Sequence, residues 1–155
     1  MLVVALPRTA LFLQALNIYY FNKGYLDEQF IQLEELEDDD NPNFVEEMVT
    51  TFYNNSARLL QNIEQALVSR PIDFTKLDNY MHRFKGSSSS IGATRVKKEC
   101  TIFTEYCKKA NAEGCIRTFL QVKQEHACLR RKLETYFQLG RQAAGPSANA
   151  GGQVG

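Results

Sequence analysis

Met81-His82-Arg83-Phe84-Lys85-Gly86-Ser87-Ser88-Ser89-Ser90-Ile91-Gly92-Ala93 is the stretch on which the reading of this chain turns. With the residues before it, it continues a helical stripe of Phe74, Leu77, Met81, Phe84, Ser88 and Ile91. On a wheel of about 100° per residue, His82 lies roughly 130° from the centre of that stripe. His82 is therefore expected to face solvent, with Thr75, Asp78, Asn79, Lys85, Gly86 and Ser89 around it on one face. Positions i, i+3 and i+4 share a helix face, which puts Lys85 and Gly86 one turn beyond His82. Glycine inside a helix costs about 1 kcal/mol against alanine, and four consecutive serines add no helix preference. A helix that keeps these residues is expected to gain something else. A bare patch beside an exposed imidazole, with an ammonium group at its edge, suits a phosphoryl group and a docking partner.

Working outward, the whole chain reads as helical. No segment alternates apolar and polar residues long enough to argue a strand. Asp73 caps the helix that carries His82, and Gly92 ends it. A first helix is expected from about Thr9 to Asn22, ending near Gly24, and a second from Leu26 to Glu37. Asn41-Pro42 reads as an N-cap with proline at the first helical position. The long third helix then carries Phe44, Met48, Phe52, Leu59, Ile63 and Leu67, and Arg70-Pro71 breaks it. A fifth helix spans about Thr94 to Lys109. A sixth begins near Ala112 with Phe119, Val122, His126, Leu129, Leu133 and Tyr136 stepping by three and four. That spacing belongs to bundle packing. The fold class is all-α: an antiparallel four-helix bundle, with two additional N-terminal helices capping one end. The expected organisation is an N-terminal helix or extension over residues 1–22, the bundle over 23–139, and a disordered Gly/Ala/Ser/Pro tail over 140–155.

The 155 residues suffice for one domain and one core. A formal net charge of zero argues against a general nucleic-acid binder. The charge is nonetheless segregated. Asp27 to Glu47 holds ten acids and no base, whereas Arg83 to Lys132 holds twelve bases and four acids. Such asymmetry suits an electrostatically steered partner with an acidic surface. The apolar N-terminus is interrupted by Pro7 and Arg8 and falls short of the about 20 residues that span a bilayer. An amphipathic first helix is expected there, and no membrane association.

The four cysteines, Cys100, Cys107, Cys115 and Cys128, form no CxxC pair, so no metal site is expected. They read as reduced, partly buried thiols of a cytosolic protein. No Glu-x-x-His pair supports a metal-dependent bundle oxidase. His126 falls on the apolar stripe of the sixth helix and reads as a packed, hydrogen-bonded histidine.

The segment His82 to Ala93 resembles the signature of histidine-containing phosphotransfer (HPt) proteins, and is most similar to the plant type. Gly24-Tyr25-Leu26-Asp27-Glu28-Gln29-Phe30, Asn41-Pro42-Asn43-Phe44-Val45 and Asn111-Ala112-Glu113-Gly114-Cys115 carry the similarity along the chain, from about Lys23 to Leu139. The resemblance implies that His82 is the phosphoacceptor, with Lys85 and Gly86 as its motif neighbours. Arg83 and Ser89 are the further phosphoryl-site neighbours. It implies a phosphocarrier without autonomous catalytic activity. Phosphate would come from a receiver-domain aspartate of a hybrid sensor histidine kinase and pass to response regulators, as in cytokinin signalling. The chain would need no cofactor of its own, Mg²⁺ being expected in the partner receiver domain. A monomer found in cytoplasm and nucleus is expected. Two departures stand out: Arg83 replaces the family's usual glutamine, and the first twenty or so residues diverge. They motivate the alternative of a receiver-binding decoy that carries no phosphate.

Overall fold

The computed structural model describes residues 8–143 and contains six helices. They are α1 (Arg8–Asn22), α2 (Glu28–Glu35), α3 (Phe44–Val68), α4 (Phe74–Ser90), α5 (Thr94–Lys108) and α6 (Ala112–Ala143). No extended strand occurs among the described residues. Helices α3 to α6 close a four-membered bundle in which each packs on the next and α6 returns to α3. The α3–α6 register is antiparallel: Ser56 meets His126, and Glu64 meets Lys123 further along α3 but earlier on α6. Phe84 of α4 and Phe103 of α5 are fully buried, as are Ile63, Val122 and Leu133 from α3 and α6 or nearly so. Each such side chain contributes about 1.5–3 kcal/mol relative to exposure, so these residues dominate the driving force for closing the bundle.

The caps of α4 are those read from the sequence. Asp73 accepts the Lys76 backbone N–H at 3.0 Å, and Gly92 leaves the helix with φ of +74°. Two other starts differ from expectation. Helix α2 begins only at Glu28, because Leu26 pairs in an isolated bridge with Ala93 and Asp27 becomes the N-cap. Asp27 accepts Gln29 N–H at 2.9 Å and pairs with Lys97 of α5 at 3.0 Å. Helix α3 begins at Phe44 rather than at Pro42, with Asn43 at the cap position but forming no side-chain cap bond. Glu37 serves instead, accepting Val45 N–H at 3.1 Å. Asn41 is drawn into a local turn in which its N–H donates to Asp38 Oδ1 at 2.9 Å. Asp and Asn favour such turns because a short side chain competes with the helix for backbone groups.

The N-terminal pair is also arranged differently from a simple end cap. Helix α2 closes over α3 and α4 through Phe30 and Leu33, whereas α1 lies along α6. Tyr20 donates to the Lys132 carbonyl at 3.0 Å, and Asn17 to Glu34 of α2 at 2.8 Å. Nor is the described C-terminal part of α1 cleanly amphipathic: Tyr20 is buried, but Ile18, Tyr19 and Phe21 are exposed. No helix among the described residues is long and apolar enough to cross a membrane.

At the other end, α6 continues through Gly140 to Ala143, past the point where a tail was expected. Arg141 ion-pairs with Glu46 of α3, and this contact holds the last turn. One glycine costs the helix only about 1 kcal/mol. Of the extension expected over 1–22 and the tail expected over 140–155, residues 1–7 and 144–155 lie outside the described residues.

Candidate functional site

Helix α4 presents two faces. Leu77, Met81, Phe84 and Ser88 are buried, with Met81 and Phe84 fully so. His82 and Arg83 are exposed. The azimuth read from the periodicity therefore holds in the folded chain.

The residues around His82 divide by side. Lys85 and Asp78 lie toward α5. Lys85 is half-buried, and its charge reaches the buried Cys100 thiol of α5. Burial pushes that thiol up to about 12, and the Lys85 ammonium offsets part of the effect. Asp78 is half-buried one turn before His82, with Oδ1 fully covered and no side-chain partner. Arg83 is exposed roughly 100° round the helix from His82 and forms no ion pair with another described residue. Ser89 is half-buried two turns beyond His82.

Gly86 is exposed, and a Cβ built on it would have no heavy atom within 4 Å. Close helix packing therefore does not explain this glycine. Its helix cost of about 1 kcal/mol has no return inside the molecule, and what its missing side chain creates is open space beside the imidazole. The serines play separate parts. Ser88 belongs to the core stripe and satisfies its hydroxyl on the Phe84 carbonyl at 2.9 Å. Ser90 donates to the Ser87 carbonyl at 2.6 Å. Back-bonding of this kind lets small polar side chains sit in a helix without leaving a buried hydroxyl orphaned.

His126 is the opposite case. It is buried against the rings of Phe52, Tyr53 and Phe84. Its Nε2 shares a 2.8 Å hydrogen bond with Ser56 Oγ, and Tyr53 donates to its carbonyl at 2.9 Å. Burial pushes this imidazole down to about 4, and Arg130 acts in the same direction. The two histidines thus occupy contrasting environments: His82 is reachable from outside, whereas His126 is a neutral, packed core group.

Chemically, the α4 face offers one accessible nucleophile with an ammonium group and a bare surface beside it. The sequence did not reveal that the Lys85 charge reaches Cys100 of α5 or that Asp78 has a covered, unpartnered oxygen, since both depend on the tertiary packing. No group of three or more metal-ligating side chains occurs among the described residues.

Comparison with known proteins converges on one family. The Hpt domain matches residues 47–135. Histidine-containing phosphotransfer protein 4 of Arabidopsis thaliana is 62% identical over 122 residues, which cover 79% of this chain and 96% of that protein. Pseudo histidine-containing phosphotransfer protein 1 of Oryza sativa subsp. japonica is 59% identical over 128 residues, 83% of this chain and 68% of that protein. The crystal structure of the histidine-containing phosphotransfer protein MtHPt2 from Medicago truncatula superposes with a TM-score of 0.83 at 40% identity, covering 89% of this chain and 95% of that one. With its all-α bundle and its outward His82, the chain belongs to the plant histidine-containing phosphotransfer family.

Proposed function

We propose that this protein is a phosphorelay carrier and that His82 is its phosphoacceptor. The observation that carries the reading is the exposed imidazole of His82 beside the open space over Gly86. A neutral imidazole nitrogen attacks the phosphorus of an aspartyl phosphate on a receiver domain. The N–P bond forms as the P–O bond to the aspartate breaks, and the carboxylate leaves. The reverse polarity delivers the group to the aspartate of a response regulator. Such in-line transfer depends on positioning and charge stabilisation. Lys85 supplies a cation for the phosphoryl oxygens, and Arg83 a second from further round the helix. Ser89 is placed to donate a hydrogen bond. Mg²⁺ belongs to the partner receiver in this scheme. The donors are hybrid sensor histidine kinases, in cytokinin signalling, and the acceptors are response regulators. The carrier works as a monomer in cytoplasm and nucleus.

A receiver-binding decoy is the second reading. It is motivated by Arg83 at the position after the histidine and by the similarity to a rice protein named as a pseudo phosphotransfer protein. His82 itself favours the carrier. Incubation of the purified chain with a phosphorylated receiver domain and Mg²⁺ separates the two. The carrier gives acid-labile, alkali-stable phosphate on His82, and none on a His82→Gln variant that still binds the receiver. Receiver binding without label on the unmodified chain would establish the decoy.

A further inference from the structure

The tip of the α5–α6 hairpin holds two thiols that the phosphoryl site does not use. Cys107 lies in the last turn of α5 and Cys115 in the first turn of α6. Their Sγ atoms are 3.7 Å apart. Cys107 is 5% exposed and Cys115 fully buried, so only Cys107 offers an outer approach.

The backbone around the pair is pinned. Ala110 takes a left-handed φ of +51°, a conformation that costs a residue with a Cβ about 1–2 kcal/mol. Ala110 N–H donates to the Cys107 carbonyl at 3.1 Å, and Cys115 N–H to the Asn111 carbonyl at 3.0 Å. Asn111 Oδ1 also accepts Gly114 N–H at 3.0 Å. Tyr106 lies so close over Gly114 that a Cβ there would stand 2.3 Å from its ring. The two sulfurs are thus presented to each other by a fixed hairpin. A disulfide bond is about 2.05 Å long, so closure requires the two sulfurs to approach by roughly 1.7 Å. Cys100, buried in mid-α5, and Cys128, half-buried on α6, make no comparable sulfur contact among the described residues.

We propose that Cys107 and Cys115 form a dithiol site that closes to an intramolecular disulfide by exchange with a low-molecular-weight disulfide such as oxidised glutathione. The Cys107 thiolate attacks one sulfur of the oxidant, and one glutathione leaves and takes up a proton. The Cys115 thiolate then attacks Cys107 Sγ of the mixed disulfide, and the second glutathione leaves in the same way. The pair gives up two electrons and two protons, and the oxidant becomes two thiols. Burial raises both thiols, most strongly Cys107, which also faces the Asp78 carboxylate. Thiolate is therefore scarce, and the exchange is slow at neutral pH and faster in mild alkali. This site is independent of the phosphoryl reading.

The test uses the full chain, equilibrated with oxidised and reduced glutathione in varied ratio, then unfolded and alkylated. Intact mass counts the free thiols. The expected result is a fall from four alkylated cysteines to two in a monomeric chain, with a Cys107–Cys115 linked peptide and full reversal by dithiothreitol. Cys100→Ser and Cys128→Ser should leave the linkage in place, and Cys107→Ser should abolish it. Four free thiols at the most oxidising ratio, a linkage through another cysteine, or only intermolecular disulfides would each overturn the proposal.

Discussion

Gly92 leaves a space that the Asp27 carboxylate fills. A Cβ on Gly92 would stand 2.5 Å from Asp27 Oδ1 and 2.8 Å from the Phe30 backbone nitrogen. Asp27 in turn donates its N–H to the Gly92 carbonyl at 3.0 Å. One glycine therefore ends α4, admits the N-cap of α2 and locks the α4–α5 turn to the N-terminal helices.

Gly92→Ala should be strongly destabilising, by about 2–4 kcal/mol, because it combines a positive φ with a steric clash against backbone. Asp27→Ala should cost less, about 1–2 kcal/mol, for a lost cap and a half-exposed ion pair. Urea unfolding gives both values. A Gly92→Ala loss smaller than that of Asp27→Ala would contradict the geometry.

Gly86 predicts the reverse balance between stability and function. Gly86→Ala should stabilise the chain by about 0.5–1 kcal/mol, since the site is helical, exposed and empty. Gly86→Gln should keep the fold and lose phosphoryl uptake, because its side chain covers the imidazole. Stopped-time labelling with a phosphorylated receiver, paired with thermal unfolding, checks both halves. Normal uptake by Gly86→Gln would remove the access argument.

Lys85→Ala should slow transfer by about 10-fold, on the scale of one lost charge-assisted hydrogen bond of roughly 1.5 kcal/mol. Stability should change little, as Lys85 is only half-buried and forms no ion pair with another described residue. Arg83→Gln should leave stability within about 0.5 kcal/mol and have a smaller kinetic effect than Lys85→Ala, since Arg83 stands further round the helix from His82. Rapid-quench kinetics on the two variants give the order; equal rates for Lys85→Ala and the unmodified chain would exclude Lys85 from the site.

His126 makes stability depend on pH. Its folded pKa of about 4 lies below the unfolded value of 6.5. Between these values the unfolded chain binds the extra proton, so stability rises with pH. The contribution is fully present above about pH 6.5 and is lost progressively as pH falls toward 4, by about 3 kcal/mol in all. Urea midpoints between pH 5 and 6.5 should show this slope in the unmodified chain and a flatter one in His126→Leu. Identical slopes would mean that His126 is not the titrating group.

Much of the fold was readable because helix periodicity fixes direction within a single element. The stripe through Phe74, Leu77, Met81 and Phe84 placed His82 outward, and the stripe through Val122, Leu129 and Leu133 placed His126 inward. Asp73 and Gly92 signalled the ends of α4 through local chemistry. The starts of α2 and α3 were misplaced. The bridge of Leu26 with Ala93, distant in sequence, leaves Asp27 as the cap of α2; Glu37 reaches across from the end of α2 to cap α3, and Asn41 was taken by a turn with Asp38.

By itself, the sequence determined the number and order of the helices, the face on which His82 stands, and the residues that surround it on α4. These follow from backbone geometry over a few turns, where spacing is nearly rigid. Only the tertiary structure decided what lies across each interface. It set α1 along α6, brought Lys85 toward Cys100, left nothing over Gly86, and put Cys107 within 3.7 Å of Cys115. Such contacts depend on how helices distant along the chain dock together, and docking is governed by the joint packing of many side chains rather than by any local spacing.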